Sequence, residues 1–249
     1  MIDPDKPMNK GSRITGLALG ALLAIALLSG LVQAAPQPAF SKANTLLFLT
    51  DHLDNVPTKA TLHYAFEKRG SLEEPYSDTI DMMLSAQAGS GKKVKFNYFT
   101  GVRNQYVPSI DHAQGNPIIS VFLQYEVNQM EQRTGGSWRY FQKVIKIALE
   151  DQAKVKPARF NFGGQRVDGT KIKIAPYRED PHRAQIEPYV DKYYVFTLSD
   201  SVPGTVYQLR SVVPVEADPS ASDNGSKVLL EEVLTLSALE PTQAKENIE

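Results

Sequence analysis

The chain has 249 residues, 27 Lys plus Arg against 28 Asp plus Glu, and 42% apolar residues. That balance is ordinary for a globular protein, and the lack of a basic excess argues against a nucleic-acid partner. No cysteine is present, which excludes disulfides, thiolate metal sites, iron–sulfur clusters and cysteine nucleophiles together.

Lys6, Lys10 and Arg13 precede an apolar run from Ile14 to Val32, interrupted by little more than Thr15 and Ser29. Val32-Gln33-Ala34-Ala35-Pro36 follows, with short residues at the −3 and −1 positions of a signal-peptidase site. The cut is expected after Ala34, so that the mature chain begins at Ala35; a cut after Ala35 would set Pro36 against the scissile bond. The run 14–32 is also close to the roughly 20 residues that span a bilayer, so an uncleaved inner-membrane anchor is the alternative. No lipobox cysteine or twin-arginine motif is present, and the expected destination is a bacterial periplasm. Removing 1–34 leaves 215 residues with a net charge of −2, enough for one domain with a sizeable core.

Residues 35–43 read as a flexible leader. In 44–54, Leu46, Leu47, Leu49 and Leu53 fall near helical spacing, with Asn44 placed as N-cap. The period then changes to two. Leu62, Tyr64 and Phe66 alternate with Thr61, His63 and Glu67; Ile80, Met82 and Leu84 follow the same rule in 76–86, and Val94, Phe96 and Tyr98 in 92–99. Gly89-Ser90-Gly91 joins the last two strands as a hairpin. Residues 101–116 are expected to be an irregular connection.

Pro117 suits a first helical turn. Ile119, Phe122, Leu123, Val127 and Met130 make one helical stripe, and Trp138, Phe141, Val144, Ile145, Ala148 and Leu149 a second. Gly135-Gly136 separates them, with Ser137 capping the second helix. Trp138 is expected to anchor this hairpin in the core. Strand patterns return after Pro157, with turns at Gly163-Gly164 and Val167-Asp168-Gly169. A three-proline loop follows at 176–191, then strands at 192–199 and 204–213. Residues 227–237 read as a final strand interrupted by Glu232, after a polar loop at 218–226. A single domain is expected over 44–239 and a disordered tail over 240–249.

No motif assigns an activity. Ala86 to Lys93 resembles a phosphate loop, but Lys93 stands where the magnesium-binding hydroxyl belongs, and the run joins two strands instead of opening a helix. His52, His112 and His182 each have an Asp within two residues (Asp51, Asp111, Asp180), yet no HxH or HxxxH spacing supports a metal site. His63 is expected to be solvated. Asp78 and Asp81 project to opposite faces of a strand and cannot act as a close pair. Tyr193-Tyr194 places rings on both faces of one strand. Catalytic residues, metal ligands and cofactors are therefore not assigned.

The expected architecture is α+β: a curved, half-barrel-like antiparallel sheet with the 117–151 helical hairpin packed on one face. The order of parts, a signal peptide, a short N-terminal helix and then a curved run of hairpins, loosely resembles the lipoprotein-carrier (LolA-like) half-barrels of bacterial envelopes. Gly115-Asn116-Pro117, Thr134-Gly135-Gly136 and Val202-Pro203-Gly204 also resemble segments of uncharacterised exported bacterial proteins. The expectation is a periplasmic, non-enzymatic binding or carrier protein for an apolar ligand, with a lipid or an envelope protein as partner. Tyr64, Phe66, Phe96 and Phe196 are the expected lining. The alternatives are a hydrolase using the loop Asp and His residues, and a structural component of an envelope complex.

Overall fold

The period-two runs pair into one antiparallel sheet. The computed structural model describes residues 40–215 and 227–242; the apolar run 14–32, the cut at Ala34 and Ala35, the leader up to residue 39, the 218–226 loop and residues 243–249 lie outside the described residues. Among the described residues the strands are β1 (Ala60–Gly70), β2 (Tyr76–Ser85), β3 (Lys92–Tyr98), β4 (Ile110–Ala113), β5 (Lys154–Phe162), β6 (Gln165–Ile174), β7 (Tyr193–Leu198), β8 (Val206–Pro214) and β9 (Val228–Pro241). Their order is β4-β3-β2-β1-β9-β8-β7-β6-β5, and the sheet curves without closing, so β4 and β5 are free edges.

The inner face carries the core. Leu62, Tyr64 and Phe66 of β1, Ile80, Met82 and Leu84 of β2, and Leu230, Leu234 and Leu236 of β9 are all buried. Helix α2 (Ile118–Thr134) packs over β8, and α3 (Trp138–Asp151) over β6. Gly135 ends α2 in the left-handed conformation, φ 72°, and its N–H bonds Glu131 O, the C-terminal cap that glycine adopts without a Cβ penalty.

Several local expectations change. The first helix, α1, is an α-turn at Lys42–Asn44 continued by a π-turn at Thr45–Leu49. Its cap is Ser41, whose Oγ accepts from Asn44 N at 3.2 Å, while the Asn44 side chain reaches Glu150 instead. The 101–116 connection contains the short strand β4. Pro157 lies inside β5, tolerable because β5 is an edge strand and needs no donor there. Val167-Asp168-Gly169 is not a turn but the middle of β6. Gly169 is there for closeness: a Cβ would stand 2.3 Å from Leu198 O on β7. β9 runs through residue 241, so residues 240 and 241 belong to the sheet, not to a tail.

Trp138 is also corrected. It is half-buried at the first position of α3, with Arg139 stacked 4.5 Å from its ring centroid. Phe141, one turn on, is 1% exposed and is the anchor. Phe141→Ala is therefore expected to cost about 3–5 kcal/mol in denaturant unfolding, and Trp138→Ala less than about half of that.

Candidate functional site

The inner-face rule continues past the apolar residues into charged ones. On β1 the set Leu62, Tyr64, Phe66 is followed by Lys68, and on β9 the set Leu236, Leu234 by Glu232; both charged residues are buried. The β1–β9 register sets Lys68 opposite Glu232, and the β8–β9 register sets Ser211 opposite Glu232. Helix α2 lowers Tyr125, Glu126 and Arg133 onto this strip. Glu126 and Arg133 are seven residues apart, two turns, and so share a face. The β1–β2 turn adds Glu73, and the end of the 176–191 loop adds Lys192.

These groups form one network of three cations and three carboxylates beneath α2. Lys68 Nζ is 2.6 Å from Glu73 Oε2 and 3.1 Å from Glu232 Oε1. Arg133 spans Glu73, at 2.6 Å, and Glu232, at 3.0 Å. Tyr125 donates to Glu232 Oε1 at 2.9 Å, and Ser211 to Glu126 Oε1 at 2.8 Å. Lys192 Nζ sits 2.6 Å from Glu126 Oε2; beyond that ion pair neither atom finds a hydrogen-bond partner among the described residues.

The two central carboxylates differ. Burial pushes Glu232 up, but Lys192, Arg133 and Lys68 outweigh it and hold the carboxyl well below its usual range. Burial also raises Glu126; there Lys192 opposes it, the nearby Glu232 reinforces it, and the net shift is upward. Carboxyls driven apart in this way are the pattern of an acid and a base. Both, however, have no exposed surface, so a substrate would reach them only with α2 lifted. As placed, they hold helix to sheet.

Beside the network lies an aromatic cluster. Phe66 packs against Tyr76, Phe99 and Tyr125 with ring centroids 4.8–5.9 Å apart. Buried Asp78 fixes the adjoining loop, accepting from Thr79 N, from Thr100 N and Oγ1, and from Arg103 Nε at 2.6–2.9 Å. Of the expected lining residues, Tyr64, Phe66 and Phe196 are buried and Phe96 partly so. Tyr64 also accepts from Asn116 Nδ2 at 3.1 Å. Tyr194 faces inward and Tyr193 outward, where Lys173 lies over its ring at 3.9 Å.

The histidines occupy separate surroundings, and among the described residues no three His, Cys, Asp or Glu side chains come together to hold a metal. His52 is fully buried: one ring nitrogen lies 2.8 Å from Leu46 O, and the other accepts from Asn116 N at 3.0 Å. That pair of partners requires the neutral ring with its proton on Nε2. His63 is not simply solvated but pairs with Asp81 at 2.8 Å across β1 and β2. His112 lies 3.0 Å from Ser90 O, and Asp111 pairs with Lys93. His182 lies edge-on to Tyr140, whose hydroxyl donates to buried Asp180 at 2.7 Å; burial and that carboxylate push the Tyr140 hydroxyl up to about 12. The phosphate-loop-like residues connect β2 to β3, with no helix after them.

Lys192→Met alone is expected to cost about 3–5 kcal/mol, because it leaves Glu126 without its cation; Lys192→Met combined with Glu126→Gln should recover most of that in urea unfolding. A second expectation concerns pH. Burial lowers the His52 pKa below its ordinary value, with the hydrogen bond to Leu46 and the charges of Asp51 and Asp200 opposing. The unfolded state therefore binds the proton more readily. The contribution of His52 is complete above about pH 6.5 and is lost as pH falls below it. Comparing wild type with His52→Gln across that window should show the extra acid sensitivity in the wild type alone.

No family model matches the sequence, and no curated protein matches it. Among solved structures the chain is similar to LprF from Mycobacterium bovis, at 10% identity and a TM-score of 0.31, over 84% of this chain and 98% of that one. It is similar to a putative outer membrane lipoprotein-sorting protein domain from Vibrio parahaemolyticus, at 9% identity and a TM-score of 0.23, over 77% and 87% of the two chains. A LolA superfamily protein from Nitrosomonas europaea is similar at 8% identity and a TM-score of 0.22, over 83% and 96%.

Proposed function

We propose that this is an exported, non-enzymatic binding or carrier protein of a bacterial envelope, cut after Ala34, that takes a lipid or acyl chain between the inner face of the sheet and the α2–α3 hairpin. The observation that carries the reading is the join between α2 and the sheet. Its centre is a network of ion pairs, set among aromatic and aliphatic side chains, in a sheet open at both edges. On lifting α2, the charges exchange each other for water, and the hydration they regain offsets much of the lost attraction. The apolar surface uncovered at the same moment has no such substitute except an apolar ligand. No described helix is long and apolar enough to cross a membrane; the segment 14–32 supplies export.

Thermal unfolding with fatty acids and a lipopeptide tests this, using protein from the periplasmic fraction whose N-terminus is read by sequencing and expected to be Ala35. Ligand at about a hundredfold excess over Kd should add roughly 2.7 kcal/mol, or about 5–10 °C in Tm for a chain of this size. A flat Tm across saturating ligand would overturn the carrier reading in favour of a structural component of an envelope complex.

A further inference from the structure

Helix α3 has two unlike faces. Phe141, Ile145, Ala148 and Leu149 are buried, whereas Arg139, Lys143 and Lys146 are exposed alongside the exposed Ile147. Among the described residues none of these three cations makes an ion pair. Helix α1 is tied to the C-terminal end of α3: Ser41 Oγ donates to Leu149 O at 2.9 Å, and Asn44 Nδ2 to Glu150 Oε2 at 2.5 Å. The open side of α1 adds Lys42, Phe48 and Leu49, the last 57% exposed, and Phe40 just before it is 65% exposed. Carboxylates on the two helices are Glu150, engaged by Asn44 and Ser41, and Asp151.

Exposed large apolar side chains among unpaired cations are the composition of a surface that lies in the interface of an anionic bilayer. The position in the chain agrees. Phe40 follows Val32, the end of the apolar run, by eight residues, a reach of at most about 28 Å. For as long as that run stays uncut in the bilayer, α1 is held within that reach of it. We propose that the α1–α3 surface docks on an anionic lipid bilayer, with Phe40, Phe48, Leu49 and Ile147 entering the headgroup region and Lys42, Lys143 and Lys146 facing lipid phosphates. This contact is separate from the ligand site between sheet and hairpin, and either can fail without the other.

Because the chain has no cysteine of its own, single labels read single positions. Leu49→Cys and Ile147→Cys, each carrying an environment-sensitive fluorophore, are compared with a label at Val102→Cys, a fully exposed position on the β3–β4 connection. The exported protein is mixed with phosphatidylcholine vesicles that contain or lack phosphatidylglycerol. Emission at 49 and 147 should shift to the blue with the anionic vesicles and be quenched by brominated acyl chains, while the label at 102 stays hydrated. Replacing both lysines, Lys143→Gln and Lys146→Gln, should weaken vesicle binding on the order of thirty-fold at low salt and leave Tm unchanged. Labels at 49 and 147 as hydrated as the one at 102, equal binding to neutral vesicles, or affinity indifferent to the lysine pair would each overturn the proposal.

Discussion

Glu232 is the group on which the rest of the structure turns. It lies on the inner face of β9 with no exposed surface, accepts from Tyr125 of α2, and is paired with Lys68 of β1 and Arg133 of α2. An isolated carboxylate there would cost several kcal/mol of lost hydration. Its position is tenable because β1 and α2 bring donors to it and the loop ending at Lys192 brings a third cation, 3.9 Å away. Each of them is thereby placed: β1 in register beside β9, α2 above both, and the loop ending at Lys192 against the edge of α2.

Charge and register enforce each other. Side chains alternate faces along a strand, so a slip of one residue between β1 and β9 would carry Glu232 to the outer face and bring Glu231 inward. Glu231 is itself nearly fully buried, on the outer side, and is held by Arg69 and Arg210. Adjacent residues on one strand thus satisfy two different cation sets on opposite faces. A slipped sheet would break both sets at once, a far larger penalty than the loss of an apolar contact. Buried ion pairs add little net stability over apolar packing of the same volume; here they define which pairing is allowed.

The sheet's open edges are handled differently. β5 carries Pro157, which removes a donor, together with exposed Lys154, Lys156 and Arg159, a combination that discourages pairing with another chain. β4 is only four residues long. On the helical side, α1 and α3 present Phe48, Leu49 and Ile147 outward beside Lys42, Lys143 and Lys146. On α3 the exposed Arg139, Lys143, Lys146 and Ile147 stand opposite the buried Phe141, Ile145 and Leu149 that pack the helix onto the core.

Much of the fold was legible because period two and period 3.6 are local properties: Leu62-Tyr64-Phe66 on β1 and Phe141-Ile145-Leu149 on α3 are where their spacing puts them. The fold class and the hairpin followed from those patterns alone. Turn chemistry misled at Val167-Asp168-Gly169, because a glycine needed for close approach to Leu198 looks the same in sequence as one needed for a turn. The charged network was half visible. Lys68 and Glu232 obey the same alternation as their apolar neighbours, and Glu126 stands on the Phe122–Met130 stripe; a charged residue in phase with a buried face is the signal. Glu232 read as an interruption because hydrophobicity was taken as the only reason to face inward. What the amino-acid order by itself determined was which residues face the core. Which buried charges meet was decided by tertiary structure alone, because Lys68 of β1, Glu126 and Arg133 of α2, Lys192 and Glu232 of β9 come from four distant segments whose attraction acts through space and leaves no local period.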